Sequence, residues 1–235
     1  MKTLPIHRAM RRNLCMACLL VACLGAETLA FPPSVPSNNG EVHYYREVTG
    51  TCVKKVAWQL SKDERLTLTY TSPTEQHVTT TGSGYDTLCW KVTADADRTD
   101  FVARRDGRTV VIQGMFKGEP VNRTLHIDEA PWYQATSLSL RGLAASGDAQ
   151  RVFWTIRLKT LTAHKVKAIK KGVEVLESEG SPKTLQRIRL TLTGLLAPFW
   201  KSDYWFTVPD DIFFRFEGPS GPPGSPKTVV TLIAG

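Results

Sequence analysis

The stretch Lys183 to Gly218 (KTLQRIRLTLTGLLAPFWKSDYWFTVPDDIFFRFEG) constrains the fold more than any other. Leu185, Arg187 and Arg189 alternate with Gln186, Ile188, Leu190 and Leu192. Tyr204 to Val208 and Ile212 to Glu217 follow as two more short aromatic runs. Apolar residues at every second position give a strand with one face on a core and the other in water. Three such strands in succession predict an antiparallel sheet, closed over aromatic residues supplied by the rest of the chain.

The rest of the chain carries the same signal. Strands are expected at Glu41 to Val48, Thr51 to Leu60, Arg65 to Thr71, Leu88 to Ala94, Arg151 to Leu158 and Thr228 to Ile233. Phe101 to Ile112 reads as a hairpin turning at Asp106-Gly107, a dipeptide that accepts the positive φ angles of a type I′ turn. His164 to Glu177 is either one long strand or a hairpin turning at Lys171-Gly172. Pro131 to Ala145 reads as one short helix, with Pro131 suited to a first helical position and Gly147 to a stop. GPSGPPGSP, ending at Pro226, is a stiff hairpin loop. The fold class is therefore all-β with one short helix, an antiparallel curved sheet or barrel of lipocalin-like or half-barrel type. Residues 41–235 read as a single domain, long enough for one full core.

The N-terminus is an address. Arg8, Arg11 and Arg12 precede the uncharged run Leu14 to Ala22, which is too short to span a bilayer and suits a signal peptide. Two cleavage sites compete. Leu20-Val21-Ala22-Cys23 resembles a lipobox, which would make Cys23 a lipidated N-terminus after removal of residues 1–22. Thr28-Leu29-Ala30 would instead release a soluble chain after residues 1–30. Residues 23–40 read as a tether rich in proline and asparagine. Removing residues 1–22 takes away Lys2, Arg8, Arg11 and Arg12 and no acid, so the formal charge of +8 falls to +4. That balance argues against a nucleic-acid partner, which needs a clustered basic face. The expected location is the periplasm or outer membrane, with membrane contact through the lipid.

Of five cysteines, Cys15 and Cys18 leave with the signal peptide. Cys52 and Cys89 remain, and an exported domain with two cysteines suggests a disulfide worth about 4 kcal/mol. Parity speaks against it: Cys52 is in phase with inward Val56 and Trp58, whereas Cys89 is out of phase with Leu88 and Trp90.

No catalytic motif stands out. His43, His77, His126 and His164 form no HExxH, and no serine sits in GxSxG. Gly82-Ser83-Gly84 and Asp210-Asp211 read as turns. His126-Ile127-Asp128 and the lysines Lys165, Lys167 and Lys171 read as solvated strand faces, and Asn122-Arg123-Thr124 is a formal sequon only. Neither a metal nor another cofactor is expected. The feature above background is aromatic: Trp58, Trp90, Trp132, Trp154, Trp200 and Trp205, with Tyr204, Phe199, Phe213 and Phe214. These rings either fill a core or line a partly open cavity under a helical lid opened by Trp132.

Glu174 and Glu177, Arg187 to Thr193, Phe199-Trp200, Tyr204-Trp205-Phe206 and Arg215 with Gly218 resemble a widespread bacterial exported family of unknown function. The resemblance implies a signal peptide and an all-β, lipocalin-like or half-barrel domain. A remoter likeness is to periplasmic lipoprotein carriers, whose half-barrel and helical lid hold acyl chains. The expected function is a non-catalytic envelope protein that binds an apolar ligand or lipid. The alternative is a scaffold or interaction domain, and behind that a hydrolase.

Overall fold

Alternation on this scale builds two meanders. β1 (Glu41–Thr49), β2 (Cys52–Lys62), β3 (Leu66–Thr71), β4 (Gln76–Thr81), β5 (Thr87–Ala94), β6 (Thr99–Asp106), β7 (Thr109–Phe116) and β8 (Glu119–His126) form the first. β9 (Gln150–Arg157), β10 (Thr162–Ser178), β11 (Ser181–Leu192), β12 (Lys201–Thr207), β13 (Phe213–Pro219) and β14 (Lys227–Ile233) form the second. The computed structural model describes residues 40–178, 180–194, 200–221 and 224–233. The signal peptide, most of the tether, Cys23 and Phe199 lie outside them.

The meanders join through β1 and β14, giving one 14-stranded antiparallel sheet in the order β8 to β1, then β14 to β9. Its strands twist, and bulges at Thr80/Thr81, Lys170/Gly172 and Trp205/Phe206 add curvature. The sheet does not close, because its edges β8 and β9 do not pair with each other. They are consecutive in sequence, and residues 127–149 pass between them on the concave side. Trp154 N–H donates to the Pro131 carbonyl and Tyr133 N–H to the Trp154 carbonyl, both at 2.8 Å, so this segment caps the β9 edge. Arg123 Nη1 on β8 donates to the carbonyls of Thr160 and Leu161 at 2.9 and 3.0 Å. The open seam is thus stitched by one short parallel bridge, Trp132 to Trp154, and by side chains.

The expected helix is shorter than Pro131 to Ala145. Residues 131–135 are spent on the bridge, and only α1 (Thr136–Ser139) and α2 (Arg141–Ala145) are helical. Leu138, Leu140 and Leu143 are fully buried against Tyr45, Trp58, Phe153, Ile188 and Phe206 from both meanders. Each such side chain contributes about 1.5–3 kcal/mol. This segment is a plug built into the core.

Residues 164–177 lie on one strand, and Gly172 (φ 104°) forms a bulge where the hairpin alternative put a turn. At the β6–β7 hairpin only Gly107 (φ 55°) takes a positive φ, so the turn is not the expected type I′, which needs two. The Cys52–Cys89 disulfide is not formed, and both thiols are free. Cys89 pairs across Thr80 and Thr67 with Ser61, nine residues along β2 from Cys52. That places the two about 30 Å apart along the strand, on opposite faces, against a bridging limit near 7 Å.

Two of the strands, β4 and β8, carry no alternation that a sequence reading could use. The inner face of β4 is His77, Thr79 and Thr81, whose two threonines are buried although polar. β8 is an exposed edge strand that tolerates Pro120.

Candidate functional site

The first meander presents rows of rings to the concave side because register places them there. One row runs His43, Trp58, Tyr70, His77, Val92, and the adjacent row runs Leu60, Leu68, Thr79, Trp90. Tyr70 meets His77 edge to face at 5.4 Å, His77 meets Trp90 at 5.8 Å, and Trp90 meets Phe101 at 5.1 Å. Such contacts fix ring orientation and add about 0.5–1.5 kcal/mol per aromatic pair beyond burial.

Where β4 offers threonine to this surface, the packing leaves a cavity of about 320 Å³. Its walls include Trp58, Leu68, Tyr70, His77, Thr79 and Trp90, and Gln134 to Ser137 form its roof. The roof is held firmly. Gln134 accepts from Ile156 N–H and donates to the Ile156 carbonyl, both at 3.0 Å. Trp58 Nε1 donates to Ser137 Oγ at 3.2 Å, and the hydroxyls of Thr136 and Tyr204 pair at 2.8 Å.

Charged groups stand at the same cavity. Lys54 lies 3.1 Å from Glu47, and Glu75 lies 3.3 Å from His77 Nε2. That second contact has ion-pair distance without hydrogen-bond geometry, and the buried Nε2 has no hydrogen-bond partner. The His77 imidazole holds the Glu75 carboxyl below its usual range against the opposite pull of burial, and Lys54 assists. Burial works to lower Lys54, yet Tyr70, Glu47 and Glu75 together raise it. Burial and then Glu47 push Tyr70 up to about 12. Glu75 is aimed by the β3–β4 turn, where Ser72 Oγ accepts from the Thr74 and Glu75 N–H groups.

The rings named from sequence do not converge on one place. Trp58 and Trp90 line the cavity. Trp132 is fully buried in a second cluster with Val92, Phe101, Ala103, Val110 and Ile112, and its Nε1 donates to Gln134. It therefore opens no helix and forms no lid. Trp154 packs on that cluster, and its Nε1 donates to Asp128, which also pairs with Lys165. Trp200 and Tyr204 pack against the first cluster. Trp205 lies on the other face of the sheet with Leu185 and Phe214, beside a 260 Å³ hollow rimmed by Glu177, Arg215 and Glu217. Its Nε1 donates to Glu174.

Sequence reasoning missed Glu47, Lys54, Tyr70, Glu75 and Thr79 as cavity residues, and Gln134 to Ser137 as its roof. The signal present was parity: Glu47 shares a face with Tyr45, and Lys54 with Val56. A further charged group sits near that face. Arg141 forks onto Glu41 at 2.7 and 3.1 Å and lies 4.9 Å over the Trp58 ring, while His43 Nε2 is 2.6 Å from Glu41.

With this geometry the chain is similar to a β-barrel-like protein of a domain family of unknown function, DUF1849, from Brucella abortus. The two superpose with a TM-score of 0.58 at 8% identity, over 82% of this chain and 94% of that one. The likeness is one of fold. The hypothetical lipoprotein YmcC from Escherichia coli aligns with a TM-score of 0.39 at 11% identity, over 83% of this chain and 86% of that one. A LolA superfamily protein from Nitrosomonas europaea aligns with a TM-score of 0.28 at 8% identity, over 83% of each chain. No protein-family model and no curated protein matches the chain. Among the described residues no helix is long and apolar enough to cross a membrane.

Proposed function

We propose that the chain is an exported protein of the bacterial envelope, lipid-anchored at Cys23, whose β domain binds an apolar or amphiphilic ligand without catalysis. The observation that carries the reading is the cavity between β1–β5 and residues 134–137. At about 320 Å³ it sits at the small end of the roughly 300–1,000 Å³ range of ligand sites. Aromatic walls with a few polar groups are the lining such sites use. Each methylene buried there contributes about 0.8 kcal/mol, so a single medium-length chain offsets its own ordering cost.

A fluorescent fatty acid titrated into the protein tests the site. Saturable binding is expected, and Ser137→Phe, which fills the roof, should abolish it while leaving the melting temperature within a few degrees. Failure of every alkyl amphiphile, whatever its head group, to bind saturably would remove this reading. The anchor is tested separately: Cys23→Ser should release the protein from membranes, and a soluble mature chain beginning at Phe31 would defeat it.

A second reading, an interaction domain, draws on the opposite face. There the 260 Å³ hollow near Trp205 reaches Leu176 and Glu177 on the β10–β11 hairpin, whose other side leaves Val173 58% and Val175 61% exposed. Loss of a co-purifying envelope protein on Val175→Asp, with lipid binding intact, would favour it.

A further inference from the structure

The cavity's charge and its walls select the same kind of ligand. Counting histidine as neutral, the lining holds two carboxylates, Glu47 and Glu75, against one ammonium, Lys54. Lys54 is committed to Glu47 at 3.1 Å, which leaves Glu75 in excess. All three are less than a third exposed, so their fields are weakly screened. The walls add the rings of Trp58, Tyr70 and Trp90, and a ring's electron-rich face attracts a cation.

Cations already lie over rings in this fold, Lys55 over Tyr44 and Lys117 over Phe116 among them. Arg141 lies over Trp58, Lys165 over Trp154 and Arg187 over Trp205. An anionic head group would instead meet two carboxylates and an ammonium already paired. The buried Nε2 of His77 has no hydrogen-bond partner. An ammonium N–H directed at the Glu75 carboxylate gains a charge-assisted bond that no purely apolar ligand supplies.

We propose that this cavity takes an amphiphile with a primary amine head, its ammonium held by Glu75 and the surrounding rings and its alkyl chain on Leu68 and Trp90. The inference rests on the reading of the cavity as a ligand site.

The test compares decylammonium, decanoate and decanol, each below its micelle concentration, by calorimetry on the full chain. Decylammonium should bind about tenfold more tightly than decanoate. Glu75→Gln should cut that preference to about threefold or less while leaving decanol binding unchanged. Because the turn is held by Ser72 and backbone groups, this substitution removes the charge and its contact with His77 while leaving the turn in place. Asp100→Asn, which alters a mostly exposed carboxylate on β6, should change nothing. Raising the salt to about 0.5 M should shrink the preference in the native chain as well. Decanoate binding as tightly as decylammonium, or a preference untouched by Glu75→Gln, overturns the amine assignment and leaves the cavity reading standing. If none of the three binds, the cavity reading fails, and the amine assignment with it.

Discussion

Two parts of the concave face differ in what one strand contributes. Around β6 and β7 the inward positions are Phe101, Ala103, Val110 and Ile112, each at most 1% exposed, and the space is filled. Around β3 and β4 the inward positions are Leu68, Tyr70, His77 and Thr79, and the same curvature leaves a 320 Å³ cavity. Both regions share one sheet and one plug. Replacing apolar bulk by threonine and histidine on a single strand is what separates a packed core from a site. Threonine and histidine on β4 supply less apolar bulk than the side chains of β6 and β7, so the gap is left unfilled.

The contrast can be broken most severely on its packed side. Trp132→Ala removes a fully buried ring that the surrounding strands cannot replace, and should cost about 3–5 kcal/mol in urea unfolding. Leu68→Ala on the cavity side strips a side chain that already borders open space and should cost about 2 kcal/mol, the low end for such a change. Equal losses at the two positions would mean that the regions are packed alike.

Acid sharpens the comparison at an intermediate scale. Glu41, facing His43 and Arg141, has its carboxyl held down to about 2, with His43 the largest cause, against burial, which raises it. A carboxyl lowered on folding contributes stability that is complete above its unfolded value of about 4.5. That contribution is lost as pH falls from there to about 2. Stability should therefore drop steeply through that window, and His43→Ala should flatten the drop. An unchanged acid profile in that variant would assign the low value to Arg141 alone.

The smallest effect concerns the thiols. Cys52 is exposed and Cys89 partly so. Both should alkylate without reductant, Cys52 faster, and dithiothreitol should leave the melting temperature unmoved. A reductant-sensitive transition would restore the disulfide.

Much of this fold was legible because most strands alternate. Trp58 among Val56 and Leu60 could face only one way. β4 was illegible because its buried face is threonine and histidine, residue types that ordinarily mark the wet side of a strand. β8 was illegible because an edge strand needs no apolar face. The candidate site was half visible. Trp58 and Trp90 carry a compositional signal, but Glu47, Lys54 and Glu75 join them only through the pairing of five strands. The helix was overextended because Pro131 suits a first helical turn as well as it suits a residue whose carbonyl caps a strand edge. Parity alone argued against a Cys52–Cys89 bond, and register explains why it was right.

The pairing of β1 with β14 has a consequence for how the molecule is made. The Thr49 and Thr228 hydroxyls that meet there, 2.7 Å apart, are separated by 179 residues. Every other strand pair joins chain neighbours, so each half can assemble as it emerges. The middle of the sheet waits for the C-terminal strand. Until then β1 carries an unsatisfied row of backbone donors and acceptors, beside the inward ring of Tyr45, on an edge able to recruit any passing strand. A chain stopped short of Lys227 would keep that adhesive edge permanently. Closing so long a loop is slower than forming a hairpin, so this join is expected to be made last, and the bare edge is exposed to aggregation until it is.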